Sequence, residues 1–180
     1  VMTDLGSLTT GGDPMEQQSQ VIAVSGDGTT VIGRSRLQNS AGQTLSQGFV
    51  WRDGVMQYIG EVPTDCICGP YSTAVAVSFD GRAIAGNARS VGVAAEAFRW
   101  YDGEITLLGT LGGTESYATD ISDDGSTVVG VSRNESGAWR AFIWRTVMQD
   151  YTNLVGSFAG LAEETELASS QSRERLQLVE

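Results

Sequence analysis

A gapless nine-residue pattern, Ser-x-Asp-Gly-x-x-apolar-x-Gly, occurs three times, at residues 25–33, 78–86 and 122–130. Downstream of each copy stands Phe-x-Trp: Phe49-Val50-Trp51, Phe98-Arg99-Trp100 and Phe142-Ile143-Trp144. A short run ending in apolar-Gly follows at 55–60, at 104–109 and, more loosely, at 147–156. A recurring block of this length marks a chain made of like supersecondary units, each unable to bury its apolar face alone. The interval from Asp27 to Asp80 is longer than that from Asp80 to Asp124, and insertions at 38–45 and 63–70 account for the difference.

The chemistry within one unit predicts four strands. An alternating segment runs into Asp-Gly, whose glycine accepts positive φ and so suits a tight hairpin. The next strand is Val/Ile-rich and ends at Gly33, Gly86 or Gly130. After a polar loop (Asn134-Glu135-Ser136-Gly137 in the third unit) comes the Phe-x-Trp strand, which places both aromatics on one face because side chains alternate. In two units a second Asp-Gly follows at once, Asp53-Gly54 and Asp102-Gly103, turning the chain into the last strand.

The fold class read from this is all-β: three four-stranded antiparallel blade-like repeats of β-propeller type, at about 18–60, 72–109 and 117–156, plus a C-terminal helix. Residues 1–6 match the last strand of a further unit. Propellers close with four to eight blades, so three units imply a longer natural chain, association of copies, or a different closure such as a β-prism or β-trefoil. Residues 1–160 are thus one repeat domain. Residues 161–180 contain no Gly or Pro, with Glu early and Arg late, which predicts a helix.

Composition excludes several activities. The sequence has no His and no Lys, its 11 cations all being Arg, against 22 acidic residues and a net charge of −11. That rules out Ser-His or Cys-His nucleophilic pairs, His-ligated metals, Schiff bases and the Walker phosphate loop. The negative charge repels nucleic acid and anionic lipid. Cys66 and Cys68 are too few for a disulfide framework or a tetrahedral zinc site; they stand as either a small local disulfide or two free thiols. No apolar run approaches the roughly 20 residues of a membrane span. Val1-Met2-Thr3-Asp4 has neither the basic nor the apolar region of a signal peptide, so the chain reads as a mature protein or an excised piece.

The residues that invite a functional reading have structural readings of greater weight. Asp27, Asp80 and Asp124 precede Gly in predicted hairpins, where Asp is a turn former. Asp123-Asp124 lacks the spaced oxygen ligands of an EF-hand. The Phe-x-Trp aromatics fit packing between sheets. No catalytic, cofactor or metal residues are assigned.

The stretch Leu108-Gly109-Thr110-Leu111-Gly112-Gly113-Thr114-Glu115-Ser116-Tyr117-Ala118-Thr119-Asp120-Ile121-Ser122-Asp123-Asp124-Gly125, with Val128-Val129-Gly130 and Ala141-Phe142-Ile143-Trp144 after it, resembles the bacterial extracellular HAF repeat. The resemblance extends more loosely over residues 1–156. It implies a passenger region of an autotransporter, outside the cell or on its surface, joined through 161–180 to an outer-membrane barrel of the same precursor. The family has no accepted catalytic residues to transfer. The expected function is therefore a non-enzymatic, adhesin-like module that binds a host or environmental protein or glycan through the inserted loops at 38–47 and 61–72. Two other readings remain. One is a carboxylate-based hydrolase such as a glycosidase, although the acidic residues outside the turns, Glu61, Asp65, Glu96, Glu115 and Glu135, are scattered among loops with no repeated pairing. The other is a structural spacer that aids secretion. A homo-oligomer fits the exposed sheet edge that three units leave.

Overall fold

The computed structural model describes residues 1–9, 15, 17–38, 44–60, 71–89 and 94–146, all within one compact unit, Val1–Thr146. Cys66, Cys68, the strand expected at 147–156 and the helix expected at 161–180 lie outside the described residues.

The repeats form three antiparallel sheets, each with its strands in chain order. The first contains β1 (Ser19–Val24), β2 (Thr30–Gln38), β3 (Thr44–Arg52) and β4 (Val55–Tyr58). The second contains β5 (Tyr71–Val77), β6 (Ala83–Arg89), β7 (Glu96–Tyr101) and β8 (Glu104–Leu107). The third has three described strands, β9 (Gly112–Ile121), β10 (Thr127–Asn134) and β11 (Trp139–Arg145). Among the described residues there is no helix. The first sheet spans Ser19–Tyr58 and the second Tyr71–Leu107, against the expected units at 18–60 and 72–109; the end of the expected third unit lies outside the described residues.

Both hairpin types form where Asp-Gly predicts them. Between the third and fourth strands, Asp53 and Gly54 have φ of 49° and 83°, and Asp102 and Gly103 have 45° and 106°. Two successive positive φ values give the primed turn whose twist matches that of the strands. Residues 1–6 form no strand. Instead, Gly6-Ser7-Leu8 repeats the linker Gly109-Thr110-Leu111. The Leu8 amide donates to Ser35 Oγ at 2.9 Å as Leu111 does to Ser132 Oγ at 3.0 Å, and Ser19 donates to the Gly6 carbonyl as Ser116 does to that of Gly109.

The glycine ending each motif and the phenylalanine of Phe-x-Trp are one device. Gly33, Gly86 and Gly130 pair directly with Phe49, Phe98 and Phe142 on the neighbouring strand. On its other side, each glycine faces a β-bulge that places one extra residue (Ile22, Val75 or Thr119) in the first strand. The bulge pushes a carbonyl toward the glycine while the phenyl ring lies across it. A Cβ on Gly86 would stand 2.2 Å from Phe98 Cζ and 2.6 Å from the Thr73 carbonyl oxygen. Only glycine fits, for reasons of space.

The sheets stack face to face. Ile32 and Val50 of the first sheet meet Ala74, Ile84, Phe98 and Trp100 of the second. The other face of the second sheet, lined by Ala76, Ala83, Ala85 and Ala97, receives Ala118, Ile121 and Val128 of the third, with Phe142 and Trp144 packed alongside. Small residues on one side admit indole and phenyl on the other, a size complementarity that fills the layer.

Candidate functional site

The three motif aspartates form the corners expected of them. Asp27 Oδ1 accepts hydrogen bonds from the Ser25 hydroxyl at 2.6 Å and the Thr29 amide at 2.9 Å. Asp80 and Asp124 repeat this with Ser78 and Arg82, and with Ser122 and Ser126. The serine hydroxyl in turn accepts the amide of Thr30, Ala83 or Thr127. Hydrogen bonds that favour the anion hold all three carboxyls below the usual range, Asp124 at about 2, chiefly through Ser122. Because these folded-state values are depressed, the stabilisation is complete above the unfolded value near 4 and is lost as pH falls toward 2. Thermal melts should therefore show Tm falling from pH 4 to pH 2, and the triple variant Asp27→Asn, Asp80→Asn, Asp124→Asn should flatten that decline.

These corners also join the sheets. The Asp27 amide donates to the Phe79 carbonyl at 3.0 Å, and the Phe79 amide to the Asp123 carbonyl at 2.9 Å. Arginines strap the same contacts: Arg52 donates to the Gly81 carbonyl and, through Nε, to Thr30 Oγ1 at 2.9 Å, while Arg99 Nε reaches the Gly125 carbonyl at 2.8 Å. The motif aspartates are thus committed to architecture. Of the acidic residues weighed for hydrolysis, Glu96 accepts the Gly109 amide at 2.9 Å and Glu115 pairs with Arg133 at 3.2 Å. Glu61 and Asp65 lie outside the described residues. Among the described residues no three His, Cys, Asp or Glu side chains are grouped to hold a metal.

A polar cleft of about 700 Å³ is lined by the amino-terminal segment and the first sheet, with Tyr71 from the second. From the amino-terminal segment come Asp4 and Ser7, from β1 and the residues before it Gln17, Gln18 and Gln20, from β2 Arg34 and Arg36, from β3 Ser46, and from β5 Tyr71. A second cavity of about 410 Å³ shares Arg36, Ser46 and Tyr71 and adds Thr44 and Leu45. The expected loops at 38–47 and 61–72 are shorter than the sequence suggests: Gln38 pairs with Thr44, so Thr44–Gln47 belong to β3, and Tyr71 and Ser72 already belong to β5, because the strand ladders extend into both insertions. Ser72 clamps the two strands together: it accepts the Gly48 amide at 3.1 Å and donates to Gln47 at 2.9 Å.

Sequence reasoning pointed to both loops but not to Arg34, Arg36 or the glutamines. Arg34 and Arg36 alternate on a strand and so share a face, which the Arg-Ser-Arg sequence after Gly33 encodes. Arg34 Nε donates to Gln20 Oε1 at 2.9 Å and Arg36 to the Met15 carbonyl at 3.0 Å. Two guanidiniums against the single carboxylate of Asp4 make the described lining cationic in a chain of net charge −11.

No family model matches the chain, and no curated protein matches it. Solved structures do. A TolB-type protein from Agrobacterium tumefaciens superposes with a TM-score of 0.50 at 16% identity, over 71% of this chain and 42% of that one. The fold is of β-propeller type. Stacked sheets, each with its strands in chain order, agree with that class rather than with the prism or trefoil closures. TolB from Acinetobacter baumannii gives a TM-score of 0.47 at 15% identity, over 69% of this chain and 29% of that one. A fucose lectin from Kordia zhangzhouensis, solved with methyl-fucoside, gives 0.36 at 14%, over 72% and 93%. The chain therefore spans less than half the length of either TolB structure.

Proposed function

We propose that this chain is a non-enzymatic binding module, exported to the cell surface or beyond as an autotransporter passenger, that recognises a host or environmental macromolecule at the cleft lined by its amino-terminal segment, its first sheet and Tyr71. One observation carries the reading: the strand ends that follow the two insertions, Thr44–Ser46 of β3 and Tyr71 of β5, line the same cavities. Loops on rigid scaffolds are where binding residues concentrate. Amides, hydroxyls, two guanidiniums and a half-exposed tyrosine ring suit a ligand rich in hydroxyl groups and bearing a carboxylate or sulfate, and an acidic glycan fits best. The HAF-like sequence supports export, with 161–180 leading toward an outer-membrane barrel of the same precursor.

A glycosidase requires two carboxyls flanking the scissile bond, whereas Asp4 is the single carboxylate among the described lining residues, and its Oδ1 accepts the Gly6 amide at 2.9 Å. A spacer role requires no cleft at all. The purified chain should bind acidic glycans, and Tyr71→Ala or Arg36→Ala should weaken that binding about tenfold, or ~1.4 kcal/mol, with Tm within a few degrees of wild type. Failure to bind any member of a panel of acidic glycans, neutral glycans and matrix proteins, or equal binding by the variants, would contradict the proposal.

A further inference from the structure

The stack of sheets ends on two faces that are complementary in the way its internal faces are. Val129 and Ile143 of the third sheet occupy the positions that Ile32 and Val50 fill in the first, where those residues are buried against the second sheet. In the third sheet they are 38% and 55% exposed. At the other end, Val24 of the first sheet is 56% exposed, although its equivalents, Val77 and Ile121, pack into the two internal interfaces. The indole of Trp51 is half-buried on this end, whereas that of Trp100, its equivalent, is buried between sheets. Each end face thus leaves an apolar patch open, Val129 and Ile143 on the third sheet and Val24 with the edge of Trp51 on the first, where the neighbouring Phe49 is already buried.

The polar links have unmatched halves at the same two faces. Arg52 ties the first sheet to the Gly81 carbonyl of the second. Its equivalent in the third sheet, Arg145, is exposed. Ser72 and Ser116 accept the amides of Gly48 and Ala97 from the preceding sheet. Their equivalent in the first sheet, Ser19, is exposed and donates to Gly6, and the residue matching Gly48 and Ala97 in the third sheet is Ala141.

We propose that a second copy of this chain docks head to tail, the third-sheet face of each copy on the first-sheet face of the other. The contact continues the two internal interfaces: Val129 and Ile143 cover Val24 and Trp51 of the other copy, Arg145 reaches its Gly28 carbonyl, and Ser19 accepts the Ala141 amide. Two such contacts close a ring of six sheets, within the range over which propellers close. A heterologous contact that closes is also the arrangement that avoids open-ended assembly.

Sedimentation of the full chain at tens of micromolar should give about twice the 19.1 kDa of one chain. Ile143→Arg alone and Val24→Arg alone should each sediment as monomers. Mixed in equal amounts they should associate, because one variant keeps an intact third-sheet face and the other an intact first-sheet face. That recovery also shows that both variants are folded. A wild-type monomer, a larger open polymer, a dimer that persists in either variant, or no association on mixing would overturn the proposal.

Discussion

Gly86→Ala should destabilise the protein by about 3 kcal/mol, the upper end of the usual cost of overpacking a close-packed core. The backbone at Gly86 is one that any residue adopts, since it is not among the positive-φ glycines. The cost is crowding: the new methyl carbon would meet a fully buried ring on one side and a bulge carbonyl on the other. Neither retreats easily, because Phe98 is sealed between two sheets and the Thr73 carbonyl is held by its strand. Gly54→Ala makes the control. Gly54 has φ of 83° and nothing within 4 Å of the added carbon, so it carries conformational strain alone, about 1 kcal/mol. Denaturant titrations of both variants separate the two origins; equal effects would show that Gly86 is not held by its neighbours.

Phe98→Ala should cost about 3–5 kcal/mol, the range for truncating a buried phenylalanine. For a unit of this size that corresponds to roughly a 10 °C fall in Tm. The ring is fully buried in the layer with Ile84, Ala74 and Trp100, so its loss leaves a cavity that two sheets, each tied by its own ladder, cannot collapse around. Combined with Gly86→Ala, the losses should be less than additive, because removing the ring removes half of the clash at Gly86. Additivity would mean that the glycine and the phenylalanine do not act as a pair.

That pairing separates what was legible in the sequence from what was not. The Asp-Gly hairpins were legible because turn chemistry is local: the carboxylate, the serine hydroxyl and the positive-φ glycine lie within a few residues of one another. The sheets followed, since alternation and turns fix strand order in a meander. The partnership of Gly33 with Phe49, or of Gly86 with Phe98, was hidden because it depends on cross-strand register and on a bulge in a third strand. Ser72 and Ser116, which accept amides from the preceding sheet, look like ordinary surface serines for the same reason. At the cleft, loop length pointed to the right part of the molecule, but Arg34 and Arg36 precede the first loop and gain meaning only where the second sheet brings Tyr71 beside them.

Amide hydrogen exchange at Asp27 and Phe79 tests most directly whether the repeats are stacked sheets joined corner to corner. Both amides sit in exposed turns, and within an isolated hairpin neither has a partner inside its own sheet; their acceptors are the Phe79 and Asp123 carbonyls of the next repeat. Stacking predicts protection at these two positions comparable to that of the strand amides of β6, with Asp27 losing it in a variant that opens the interface between the first and second sheets, such as Phe98→Ala, while Phe79, bonded to the third sheet, keeps it. Exchange at the rate of an unstructured turn, in a protein whose strands remain protected, would contradict it.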